Sequence, residues 1–227
     1  VKKGINVKSI TFDKESNVEG VLTNKGFFKF NKIIVAAGAI GSSRIILNTF
    51  LSSRTNLLKS IQNLEIKDQP NVRIKFKLNT PSGTLNEIYS STFKRFLLGV
   101  NYLARKKSFF TSSGATSAAY LDLDNDGVPD VKIQLVQFTE KGRLSSDTSG
   151  GIEFDSNPGF SLGITILNPK SAGTLSIGES NENTIVKPKY FCNNEDLELC
   201  RKAIRFCLEF GKELTDKGIV NEIMDSK

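Results

Sequence analysis

Histidine is absent from this 227-residue chain, so the side chain that most often moves protons near neutral pH has no representative. No GxSxG nucleophile elbow, Walker phosphate loop or GxGxxG dinucleotide fingerprint occurs. Carboxylates are plentiful, but none stands in a pattern that predicts a pair sharing a cleft. No catalytic residue is therefore assigned. Apolar runs are short as well. The longest, around residues 33–40 and 160–167, fall far below the roughly 20 residues of a membrane-crossing helix and read as buried strands. Met224 is the single methionine, and neither an initiating methionine nor a signal peptide opens the chain. Cysteine is scarce and odd in number: Cys192, Cys200 and Cys207 form no CxxC pair, and without histidine no zinc site. Cys200 and Cys207 share an apolar helical face with Leu197, Ala203, Ile204, Gly211 and Leu214, which reads as buried thiols in a reducing compartment, the cytoplasm.

What is present is ordinary for a globular protein: 38% hydrophobic and 24% charged residues. The formal net charge of +7 raises nucleic-acid binding. However, Arg73, Lys75 and Lys77 alternate with Val72, Ile74, Phe76 and Leu78, as on a strand with one basic and one apolar face. Arg105, Lys106 and Lys107 sit where a helix end favours cations. No nucleic-acid motif accompanies them, so a solvated basic face is expected and no nucleic-acid partner.

Strands are expected over residues 5–12, 18–22, 27–30 and 32–36, the last wholly apolar as if covered on both faces. Residues 36–43, Ala-Ala-Gly-Ala-Ile-Gly-Ser-Ser, form a small-residue turn, with Ser42 as N-cap of a helix over 44–51. A connector over 59–69 ends at Pro70. Beyond it the pattern predicts strands at 71–78, 117–123, 131–138, 160–167 and 174–177, and a helix over 93–104. Residues 141–151 are expected to be a mobile loop. A long helix starts at Asn193 or Asn194, runs to about Asp216 and stops at Gly218. The sharpest local motif, Asp122 to Asp130 with Asp124, Asp126 and Gly127 between, has two readings. It suits an acidic hairpin tip held by Asp and Asn turn chemistry. It also suits the start of a calcium loop, although Ile133 stands where a bidentate glutamate belongs. No metal ligand is assigned.

Several of these segments, in order, resemble the glucose-methanol-choline (GMC) family of FAD-dependent oxidoreductases. Residues 32–47 are similar to its second signature through Gly38, Ala39, Ser42, Ile45 and Ile46, while Ser43, Thr49, Phe50 and Ser52 replace its proline, serine and two glycines. Asp68-Gln69-Pro70 resembles its Asp-His-Pro connector, and residues 129–134 the strand after its substrate-domain hairpin. Pro169, Ser171, Gly173 and Thr174 look like its Pro-x-Ser-x-Gly-Thr motif, followed by Pro188, Tyr190 and the helix containing Asp196. The resemblance implies an α/β plus α+β fold. An incomplete Rossmann-like FAD/NAD(P)-binding domain over 1–70 would precede an antiparallel-sheet substrate domain over 71–190, with 191–227 as a helix returning toward the FAD-binding domain. It implies FAD as cofactor and a small alcohol or sugar-like substrate. Val7 would meet the adenine through its backbone, and Ala37, Gly38 and Ala39 would line the cofactor side; packing alone is the other reading of these four. The family's glycine-rich loop would lie before Val1 and its catalytic histidine after Lys227. The expectation is an internal fragment that binds FAD weakly and turns over no alcohol. The alternatives are a binding module using calcium at Asp122–Asp130, or a non-catalytic interaction protein on the same fold.

Overall fold

The computed structural model describes residues 2–52, 63–80, 83–106, 109–111, 115–143, 152–177 and 184–224. The chain forms two compact units, Val1–Asp68 with Ser171–Cys192, and Gln69–Lys170 with Asn193–Lys227.

The first unit opens with an antiparallel meander of β1 (Val7–Phe12), β2 (Val18–Thr23) and β3 (Gly26–Lys29). Turn chemistry sets its register. The Asp13 carboxylate accepts from the backbone N–H of Glu15 and Asn17, and the Thr23 hydroxyl accepts from Lys25 while donating to the Gly26 carbonyl. Gly20 is required by space: a Cβ there would lie 2.2 Å from the Phe28 carbonyl oxygen. Helix α1 (Gly38–Ser52) packs on β1 through buried Leu47 and Thr49. Thr49 donates to Ile45 O within the helix and accepts from the Ile10 N–H at 2.9 Å, which satisfies an outward donor of this edge strand. A second antiparallel sheet runs β12 (Thr184–Lys187), β11 (Gly173–Ile177), β4 (Asn63–Ile66), with Leu175 buried at its centre.

The second unit is a five-stranded antiparallel sheet ordered β13, β5, β10, β7, β6: Val220–Met224, Asn71–Leu78, Gly159–Ile166, Val131–Val136 and Ala115–Leu121. Alternation places Ile74, Phe76, Leu162, Ile164, Val131 and Ile133 on one face, where α4 (Asn194–Asp216) adds Ala203 and Cys207 to the core. Asn193 caps α4 by accepting from Glu195 N–H. Gly211 lets the helix approach the sheet, since a Cβ there would sit 2.2 Å from Phe76 Cε1. On the opposite face, Arg73 pairs with Glu140 at 2.9 Å, Lys77 with Glu222 at 3.0 Å, and Lys75 lies 3.8 Å from Asp155. The expected solvated basic face is therefore a matched set of ion pairs.

Between β5 and β6 come α2 (Leu85–Ser90), α3 (Thr92–Arg105) and a 3-10 turn at Phe109–Thr111. Buried Asn86 pins α2: its amide donates to the carbonyls of Thr139 and Asp155 and accepts from Thr139 N–H.

Four further expectations are corrected. Residues 32–36 form no strand, and Ile34 is 93% exposed. No described strand pairs with them through a backbone ladder, and an apolar run alone cannot supply the partners that make a strand. Ser42 is no N-cap. It lies in the second turn of α1 and accepts from Ala37 N–H at 3.1 Å. The connector over 59–69 contains β4, although residues 53–62 lie outside the described part. Of the expected loop at 141–151, residues 141–143 belong to β8 (Glu140–Arg143), paired with β9 (Ile152–Phe154), and 144–151 lie outside the described residues.

Candidate functional site

The four residues singled out in the sequence gather near one end of α1 in the first unit. Val7 starts β1, and Ala37 directly precedes the helix. Together with Ile10, Val21, Ile45 and residues 33–36 they line an open slot of about 320 Å³. Gly38 and Ala39 are the first two residues of α1 rather than slot lining. Gly38 has φ of 73°, and an added Cβ would meet nothing within 4 Å, so backbone conformation and not crowding calls for glycine. The first helical turn holds no acidic residue, leaving the positive end of the helix dipole without a carboxylate of its own.

This arrangement suits a flat heteroaromatic ring. One wall is aliphatic, and backbone amides at a helix start offer directed donors beside it. An adenine fits these residues. A pyrophosphate has no cradle among them, because the chain lacks the glycine-rich turn that usually makes one.

No group with a shifted pKa lines this slot. Each shift has a local cause elsewhere. Asp13 and Asp122 are held low chiefly by backbone N–H bonds, from Asn17 and Gly127, and Glu87 by its bond to Lys94. Lys141 and Lys170 are raised by the bonded carboxylates Glu153 and Glu195, and Tyr190 by donating to Asp68. Burial raises Cys200, and pushes Cys207 up to about 11.

The loop between β6 and β7 shows how its acids are used. Asp122 accepts from the N–H groups of Asn125, Asp126 and Gly127, and Asp130 from Leu123 and Asp124. Asn125 at φ 63° and Gly127 at φ 89° complete the turn. Asp122, Asp124 and Asp130 bring carboxylate oxygens within 4.8 Å of one another. Asp124 is raised by desolvation first and then by its acidic neighbours.

The sequence reading missed a larger apolar groove of about 630 Å³ in the second unit, lined chiefly by Leu135, Phe160 and Leu162 of the sheet and Phe206 and Phe210 of α4. Its signal was legible: Phe206, Phe210 and Leu214 recur every four residues, beside the face carrying Ala203 and Cys207.

No protein-family model and no curated protein sequence matches the chain. Solved structures do. The formate oxidase of Aspergillus oryzae RIB40, in a variant studied for FAD modification, superposes with a TM-score of 0.76 at 13% identity over 98% of this chain. Another formate oxidase structure gives 0.75 at 12% identity over 98%. Pyridoxine 4-oxidase from Mesorbium loti gives 0.60 at 15% identity over 97%. The chain has the fold of these oxidases. It spans 45% of the length of the formate oxidases and 41% of the pyridoxine oxidase. Among the described residues, no helix of this shared fold is long and apolar enough to cross a membrane.

Proposed function

We propose that this chain is part of an FAD-dependent oxidoreductase of the GMC type, acting on the CH–OH group of a small alcohol or sugar-like donor. The observation that carries the reading is the superposition on formate oxidase across 98% of the chain, with the slot of Val7 and Ala37 beside the start of α1. In this reading residues 1–70 are the late part of a Rossmann-like FAD-binding domain and the five-stranded sheet belongs to the substrate domain. When bound, FAD supplies the hydride acceptor. Val7 holds the adenine edge by its backbone, Ala37 closes the apolar wall, and Gly38 and Ala39 aim helix-start amides toward the nucleotide. The chain holds no histidine to take the donor's hydroxyl proton. The 227-residue polypeptide alone is accordingly expected to bind FAD weakly and to oxidise no alcohol.

Flavin absorbance of the purified polypeptide, followed by assay with simple alcohols, tests this. The expected result is well under one FAD per chain and no turnover. One FAD per chain with turnover would contradict the inactivity.

A second reading, a calcium-binding module, has the close carboxylates of Asp122, Asp124 and Asp130 in its favour. The turn's own N–H groups already use Asp122 and Asp130. Calorimetric titration with millimolar calcium is expected to give no binding heat, and a saturable isotherm would revive this alternative.

A further inference from the structure

The polar face of the five-stranded sheet answers its cations on β5 but not on β7. Arg73, Lys75 and Lys77 each have an acid, in Glu140, Asp155 and Glu222. Lys132 alternates with buried Val131 and Ile133, so it rises from the same face. It is half-buried, yet among the described residues its ammonium has no hydrogen-bond or ion-pair partner. The amide of half-buried Gln134, two residues on, has none either. Donors partly withdrawn from water and left open side by side suit an anion.

The middle strand shows where that anion would lie. Gly163 of β10 stands opposite Arg73 of β5 and Gln134 of β7, and Thr165 stands opposite Lys132 in the next row. Glycine weakens a strand interior, so a bulge, a left-handed backbone or crowding is usually what calls for it. None applies here. The register runs unbroken through Gly163 on both sides, and its φ is not positive. An added Cβ would meet its nearest neighbour, Asn71 Nδ2, at 3.6 Å, which is ordinary contact. At Gly159 of the same strand a Cβ would fall 2.5 Å from the Phe76 carbonyl oxygen. What remains for Gly163 is the close approach of a bound molecule. On β6, Ala118 opposite Gln134 keeps the far side low.

We propose that the gap over Gly163 is a binding site for a small monocarboxylate, held by the Lys132 ammonium, the Gln134 amide and the N–H groups of Arg73 that Glu140 does not take. Charge sets the class. With Arg73 answered by Glu140, the patch carries one unmatched positive charge, which a carboxylate neutralises and a phosphate dianion exceeds. Sheet spacing sets the size, since Arg73, Gln134 and Lys132 all start within roughly 8 Å of Gly163. The inference stands on the second unit alone and does not depend on the flavin reading.

Amide NMR of the 227-residue chain titrated with acetate at constant ionic strength tests this, with chloride and inorganic phosphate as comparison anions. Saturable shifts centred on Lys132, Gln134 and Gly163 are expected at millimolar acetate, weaker ones with phosphate, and none with chloride. Lys132→Gln should weaken acetate binding about tenfold or more, while Lys132→Arg retains it. Gly163→Ala is the sharper variant, because the fold has room for the methyl group and the ligand then does not. Its spectrum should be native elsewhere and its affinity for acetate several-fold lower. The proposal is overturned by an absence of shifts, by unsaturable shifts spread over the chain's lysines, or by phosphate binding more tightly than acetate. Unchanged binding in Lys132→Gln or in Gly163→Ala would overturn it as well.

Discussion

Gly211 is where one hydrogen atom decides how close a helix can lie to a sheet. A methyl group there would fall 2.2 Å from the Phe76 ring, and Phe76 is fully buried and stacked on Phe160 with centroids 5.0 Å apart. Gly211→Ala is therefore expected to lose about 1–3 kcal/mol through overpacking, although alanine is the better helix former. Urea unfolding measures it, and unchanged or increased stability would show that α4 sits farther from the sheet. Thiol chemistry is equally specific. Cys192 is exposed, whereas Cys200 and Cys207 are buried with raised pKa, Cys207 to about 11. Iodoacetamide at neutral pH is expected to label one site per chain, and three after denaturation. Acid also acts at the β6–β7 loop. Asp122 is held below its ordinary value by three N–H donors, so its contribution is present above about pH 4 and is lost as pH falls through its lower folded pKa. Amide protection at Asn125 and Gly127 should fall in that window, and Asp124 should titrate above Asp122 in carboxyl NMR.

At the scale of elements, local signals were legible where a helix or strand carries its own instructions. The helix from Asn194 to Asp216 follows from Asn193, the acidic first turn, the seven-residue spacing of Cys200 and Cys207, and Gly218. Its cap is expected to be worth about 1 kcal/mol, read as the loss of stability in Asn193→Ala, with Asn193→Asp close to neutral. The strand Asn71–Leu78 was equally plain from alternation. Residues 32–36 were not, because being a strand requires neighbours, and the run Ile-Ile-Val-Ala encodes only a desire for cover. Strands β4, β12 and β13 escaped for the complementary reason. They are four or five residues long, and pairing with β11 and β5 rather than their own pattern makes them strands. The basic face on β5 was visible, but not the acids that answer it. Glu140, Asp155 and Glu222 arrive from 65 to 145 residues away, beyond any local reading.

For the whole molecule, the order of weak motifs said more than any one of them. Gly38–Ala39, Asp68–Pro70, Pro169–Thr174 and Tyr190 are each unremarkable, and the structure ties two of them directly, through the Tyr190 hydroxyl donating to Asp68. A solved fold covering 98% of the chain at 13% identity agrees with the mixed helix and antiparallel-sheet fold that the resemblance implied, while leaving the chemistry to be tested. The flavin reading rests on the proposed nucleotide slot at the start of α1. The most direct test is amide NMR of the 227-residue chain titrated with ADP. Shifts at Val7, Ala37, Gly38 and Ala39, weakened by Gly38→Val, are the predicted outcome. No shifts at these four residues while others respond, or none anywhere at millimolar ADP, would contradict it.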